Sequence, residues 1–202
     1  MSDADRRSRV WTIPNAISLA RLACVPVFLW LYIAEEEALA AAVLLAVLGA
    51  TDWIDGWIAR RYDQGSELGK VLDPVADRIL LLAAVIALLV EGDVPVWVGV
   101  LILAREALVS IAVLVLAALG ARRIDVQWAG KAGTLCLMFA LPAFVVSERW
   151  SFATGFTTLA AWCFTITGLV FGYWAAAQYV PLARRSLAEG RAERHAEEAV
   201  GT

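Results

Sequence analysis

Four aspartates stand close together in a chain that is otherwise poor in charge: Asp52, Asp55, Asp73 and Asp77. Asp52 and Asp55 are three residues apart, and Asp73 and Asp77 are four apart. On helices, each pair shares one face. A short connection makes the two helices antiparallel neighbours, so the pairs can face each other. Clustered carboxylates repel, and unpaired charge in a low-dielectric place is costly. Protonation is one remedy. A hard divalent cation, Mg2+ or Mn2+, is a better one, because such ions prefer oxygen ligands. Four carboxylates suit two ions, which can clamp a phosphoryl group between attacking and leaving oxygens.

The residues around the acids fit a phosphate ligand. Gly56 follows Asp55 and lets a ligand approach the backbone. Ala59 lies one turn on and is also small. Arg60 stands where it could meet a diphosphate, and Gly69 opens space one turn before Asp73. Blander readings exist for the acids alone. A lone intramembrane Asp can simply pair with Arg21 or Arg78, and proton or sodium transporters also bury carboxylates.

The elements that hold these residues are membrane helices. The chain has 202 residues, of which 61% are hydrophobic and 18% charged. Soluble domains run at about 45–50% apolar and about 25% charged. Disordered chains, disulfide scaffolds and ordinary cytosolic enzymes are excluded. A net charge of -3 argues against nucleic-acid binding. Cys24, Cys136 and Cys163 all lie in apolar runs and make no disulfide framework. A bilayer needs ~20 apolar residues per helix. Six spans meet that need: Pro14 to Ile33, Ala38 to Ala59, Gly69 to Val90, Val94 to Leu119, Ala132 to Val146 and Phe152 to Tyr179. The fifth is short and borrows from its flanks. Barrel-type alternation is absent, which leaves helices.

The expected fold is therefore all-α and polytopic. An interfacial helix occupies residues 1–13, the membrane domain 14–187, and a flexible tail or short exposed helix 188–202. A cleaved signal peptide fits the first span poorly, because the apolar run is long and contains Arg21. With both termini cytoplasmic, 13 of the 17 Lys and Arg residues fall inside, and Arg149 alone falls in an outside loop. That asymmetry places the four Asp at the cytoplasmic face. The outside turns Glu35-Glu36-Glu37 and Glu91-Gly92-Asp93 read as solvated caps. Trp30, Trp53, Trp57, Trp97, Trp128, Trp150 and Trp174 read as interface anchors. Gly168 and Gly172 form a GxxxG, which serves a homodimer seam or packing within the chain equally well.

Residues 52 to 77 read DWIDGWIARRYDQGSELGKVLDPVAD. They match D-x2-D-G-x2-A-R-x8-G-x3-D-x3-D at every fixed position. This resembles the signature of the CDP-alcohol phosphatidyltransferase family, and the six-span plan extends the likeness over Thr12 to Leu187. The resemblance implies an enzyme that displaces CMP from a CDP-linked lipid, CDP-diacylglycerol, with an alcohol. It implies two divalent metals on Asp52, Asp55, Asp73 and Asp77, with Asp77 also the general base. Gly56, Ala59, Arg60 and Gly69 would line the CDP-lipid site.

Thr12-Ile13-Pro14-Asn15, Ser18 and Arg21 look like the opening of the phosphatidylglycerophosphate and eukaryotic-type cardiolipin synthase branch. So do Ala104-Arg105-Glu106 and Gly130-Lys131. Arg105 and Lys131 would then bind the acceptor, with Arg122 and Arg123 nearby and Glu106 orienting Arg105 or Arg21. One departure stands out: Ala107 to Leu119 carries no charge. It shifts weight from glycerol 3-phosphate toward phosphatidylglycerol and leaves the two acceptors near parity. An inositol phosphate acceptor, or a transporter or scaffold on the same fold, completes the alternatives.

Overall fold

The computed structural model describes residues 13–62, 69–118, 128–150 and 154–200. Within them, side chains are described outside 13–14, 52–71, 73–74, 117–118, 154, 180 and 182–200. The first expectation, an interfacial helix over residues 1–13, lies almost wholly outside the described residues.

Among the described residues there are six helices and no strands. They are α1 (Ile13–Leu29), α2 (Ala38–Tyr62), α3 (Gly69–Glu91), α4 (Val96–Ala118), α5 (Trp128–Arg149) and α6 (Thr154–Val200). α1 runs on into a π-helical turn, Trp30–Ala34. Four segments are long and apolar enough to cross a membrane: Asn15–Ala34, Val96–Leu116, Trp128–Arg149 and Gly155–Tyr179. Ala38–Thr51 of α2 is a shorter apolar run. The fifth span gains its length from Trp128 to Lys131 and from Ser147 to Arg149, the flanks it was expected to borrow. α6 does not stop at Leu187 but continues as one helix to Val200.

The chain breaks between helices are set by local backbone chemistry. Gly92 takes φ +82° at the end of α3, and the Asp93 amide donates to the Leu88 carbonyl. That is a Schellman-type stop, which glycine makes at little cost. After α1, Glu36 occupies the equivalent left-handed position at φ 56°. A side chain there costs ~1–2 kcal/mol.

Apolar side chains occupy both the interior and the outer surface. Phe28, Tyr32, Leu45, Leu80, Leu81, Leu88, Ile102, Leu137, Met138 and Leu141 fill the interior. Many large apolar side chains face outward, as lipid contact requires, among them Leu108, Ile111, Leu114 and Val115 on α4. Trp30, Trp97, Trp128, Trp150 and Trp174 are exposed, as anchors should be; Trp53 and Trp57 lie outside the described side chains. The cysteines are free.

α5 and α6 cross closely because small residues line the seam. A Cβ on Gly133 would fall 2.9 Å from the Gly168 carbonyl oxygen and 2.9 Å from the Gly172 nitrogen. The GxxxG of α6 thus serves packing within the chain.

At the end where α1, α3 and α5 finish, one outside turn is not a solvated cap. Asp93 is only 8% exposed. The Tyr32 hydroxyl donates to it at 2.6 Å, and Arg149 Nε donates to both its oxygens at 3.0 and 3.2 Å. Arg149 also lies 3.6 Å from Glu91. The partners come from 61 and 56 residues away, so local sequence gave no hint of them.

Candidate active site

α2 runs helically through positions 52 and 55, and α3 through 73 and 77, so both acidic pairs sit in helical register. The side chains of Asp52, Asp55, Gly56, Ala59, Arg60, Gly69 and Asp73 lie outside the described residues. Asp77 is described, and it is 17% exposed on its side chain. It forms an ion pair with Arg21 of α1, whose guanidinium donates to Oδ1.

Arg21 is 1% exposed. It belongs to a buried polar row at three-residue spacing, Asn15, Ser18 and Arg21, all on one side of α1. α1 packs on α3. The row therefore brings polar groups and one cation to the helix that carries Asp77. For Asp77 the structure shows the simpler pairing, with Arg21; what fits a divalent metal is the donor set of the motif, which is all oxygen. Among the described residues, no three His, Cys, Asp or Glu side chains are gathered; three of the four Asp fall outside that set.

A second polar cluster lies where α3, α4 and α5 meet. Arg105 is 3% exposed and Glu106 4%. One Arg105 Nη donates to Glu106 Oε1, and the other donates to the Gly130 carbonyl at 3.1 Å. Thr134 donates to the same carbonyl at 3.1 Å. Glu106 therefore does orient Arg105; Arg21 is taken by Asp77 instead. Lys131, next to Gly130, is exposed in the first turn of α5. Arg122 and Arg123 lie outside the described residues.

The glycine at 172 is what admits Arg105. A Cβ there would stand 2.5 Å from Arg105 Nε. That Nε has no hydrogen-bond partner among the described residues.

From the sequence, Arg78 is expected only as a possible partner for a membrane Asp. It joins this cluster instead. Its Nη1 donates to Ser110 Oγ at 2.7 Å, and its Nε lies 3.8 Å from Glu106 Oε2. The sequence carried a usable signal for it: a span holding both Arg105 and Glu106 offers a carboxylate to a charge on a neighbouring helix.

The family model for CDP-alcohol phosphatidyltransferase matches residues 11–174. The chain belongs to the CDP-alcohol phosphatidyltransferase family. A CMP-forming cardiolipin synthase of Streptomyces coelicolor is 38% identical over 182 residues, covering 88% of this chain and 85% of the relative. A CDP-diacylglycerol–glycerol-3-phosphate 3-phosphatidyltransferase of Bacillus subtilis is 33% identical over 182 residues, covering 81% and 93%. This CDP-alcohol phosphatidyltransferase is thus an enzyme of anionic phospholipid synthesis and an integral membrane protein. The transporter and scaffold readings fall away.

Proposed function

We propose that the enzyme is a cardiolipin synthase that uses phosphatidylglycerol as the acceptor of the phosphatidyl group of CDP-diacylglycerol. The observation that carries this choice is the exposed apolar flank of α4. Leu108, Ile111, Leu114 and Val115, which follow Arg105 and Glu106 along α4, are exposed. A lipid acceptor can lay its acyl chains on that flank while its headgroup reaches the polar site. The likeness to the Streptomyces coelicolor relative supports the same choice.

In the reaction, a free hydroxyl of the phosphatidylglycerol headgroup attacks the phosphorus that carries diacylglycerol. One O–P bond forms, the P–O bond to CMP breaks, and the hydroxyl proton passes to Asp77. Transfer of this kind depends mostly on positioning and charge neutralisation. Asp77 is the base, and Arg21 fixes the direction of its carboxylate. Asp52, Asp55, Asp73 and Asp77 are the residues that would hold two divalent ions, Mg2+ or Mn2+, which when bound supply positive charge to the diphosphate. Gly56, Ala59 and Gly69 leave room for CDP-diacylglycerol, and Arg60 meets its diphosphate. Arg105 and Lys131 supply positive charge on the acceptor side. The distribution of Lys and Arg supports a cytoplasmic placement of this chemistry and of both termini.

A second reading keeps the chemistry and changes the acceptor to glycerol 3-phosphate. The Bacillus subtilis relative, matched over 93% of its length, favours it. The test is CMP release from CDP-diacylglycerol with Mg2+ or Mn2+, run in parallel with each acceptor. Release with phosphatidylglycerol is expected. Release with glycerol 3-phosphate alone would replace the first reading by the second, and release with neither would reopen inositol phosphate.

A further inference from the structure

In the cluster between α3, α4 and α5, two guanidiniums share one described carboxylate. Arg105 and Arg78 both lean on Glu106, which is 5% exposed on its side chain. Among the described residues this leaves one surplus positive charge beside a buried ion pair, and Arg78, only 34% exposed on its side chain, is the half-buried end of it. Such a surplus is expensive unless an anion completes it.

The two arginines are not equally able to meet an anion. Arg105 is almost fully buried, and both its Nη atoms are spent, one on Glu106 and one on the Gly130 carbonyl. It has no room to swing, because the α6 backbone at Gly172 stands against its Nε. Arg78 is 34% exposed on its side chain. It is held from behind by Ser110 and Glu106, so its direction is set while part of its fork stays open.

Arg78 also adjoins Asp77 in the chain. Neighbouring Cα atoms are ~3.8 Å apart and about 100° apart around a helix. Asp77 turns to Arg21 of α1 and Arg78 turns to Ser110 of α4. An alcohol whose hydroxyl reaches Asp77 and whose phosphate lies a few bonds away can span the two. We infer that Arg78 contacts the phosphate of the acceptor and that Arg105, Glu106 and Ser110 are positioning residues for it. The inference rests on the acceptor reading above and sharpens it: Arg105 acts through Arg78. The ligand chemistry is a phosphate oxyanion on an alcohol, either the diester of phosphatidylglycerol or the monoester of glycerol 3-phosphate. A guanidinium fork suits both.

The experiment uses the full chain in mixed detergent and lipid, with CDP-diacylglycerol and Mg2+ or Mn2+, and varies each substrate in turn. Arg78→Gln should raise the acceptor KM roughly 10- to 100-fold, the loss of one charge-assisted contact. The KM for CDP-diacylglycerol should stay within a factor of two or so, since nothing on that side is touched. Thermal stabilisation of the variant by CMP should match that of the wild type, which shows that it is folded. Arg78→Lys should recover part of the loss, and it decides the matter by the same comparison should Arg78→Gln not fold. Gly172→Ala, a methyl group on a different helix, should shift the acceptor KM the same way by a smaller factor, by displacing Arg105. Equal effects on both KM values, or a fall in kcat alone, would overturn the inference. A wild type that uses neither phosphatidylglycerol nor glycerol 3-phosphate would sink the acceptor reading and this inference with it, and the wild-type assay identifies that case by itself.

Discussion

Two ionic clusters tie helices of this bundle together, and they are built on different terms. At one end, Asp93 receives the Tyr32 hydroxyl and both contacts from Arg149, with Glu91 beside it. Every group there has a partner, and the cluster ties the ends of three helices. Between α3, α4 and α5, Arg105 Nε has no hydrogen-bond partner among the described residues, and two guanidiniums share the one carboxylate of Glu106. A cluster that closes on itself is a fastening. One that closes only in part leaves electrostatic work for a substrate. The ion pair of Asp77 with Arg21 stands apart from both, with Arg21 1% and Asp77 17% exposed.

This contrast can be broken by substitutions that separate activity from stability. The largest effect should come from Asp77→Asn. Loss of the base should cut kcat by about 10²–10⁴ while CDP-diacylglycerol binding, read by lipid-dependent thermal stabilisation, persists. Wild-type turnover in that variant would remove Asp77 from the role of base. Next, Asp93→Ala should destabilise the protein by ~2 kcal/mol, since it strands the Tyr32 hydroxyl and removes the main partner of Arg149. It should lower the unfolding temperature in detergent and leave the acceptor KM alone; a changed acceptor KM would merge the two clusters into one functional unit. Tyr32→Phe should cost only ~1 kcal/mol by the same measurement. Lys131→Ala is the smallest. From an exposed position it should raise the acceptor KM a few-fold, about 1 kcal/mol or less, with no change for CDP-diacylglycerol. An equal change for both substrates would take Lys131 away from the acceptor.

The membrane architecture was legible because lipid leaves the backbone few options. The third span was read as Gly69 to Val90, and α3 is Gly69–Glu91. The motif fixed the acidic positions by number, and the helical register of α2 and α3 agrees with its spacing. What sequence could not supply were pairings across the bundle. Asp93 read as solvated because its partners are remote in the chain. Arg78 read as a charge in search of an acid because Ser110, 32 residues on, has no local signature. The GxxxG at Gly168 and Gly172 left two uses open, and only the position of Gly133 and Arg105 decides between them. Likewise the π-helical turn after α1 follows from how that helix ends, which composition does not encode.

The length of α6 has a mechanical side. Its 47 residues span ~70 Å as a helix, more than twice the ~30 Å of a bilayer's hydrocarbon layer. The apolar segment ends at Tyr179, and the helix goes on to Val200. That is a continuous helical extension ~30 Å long beyond the apolar segment, with Pro181 near its base, where the ring removes one backbone donor. Energy transfer from a fluorophore carried at its tip to a dye in the bilayer would report how far the extension stands from the headgroups, and with it any partner that moves it.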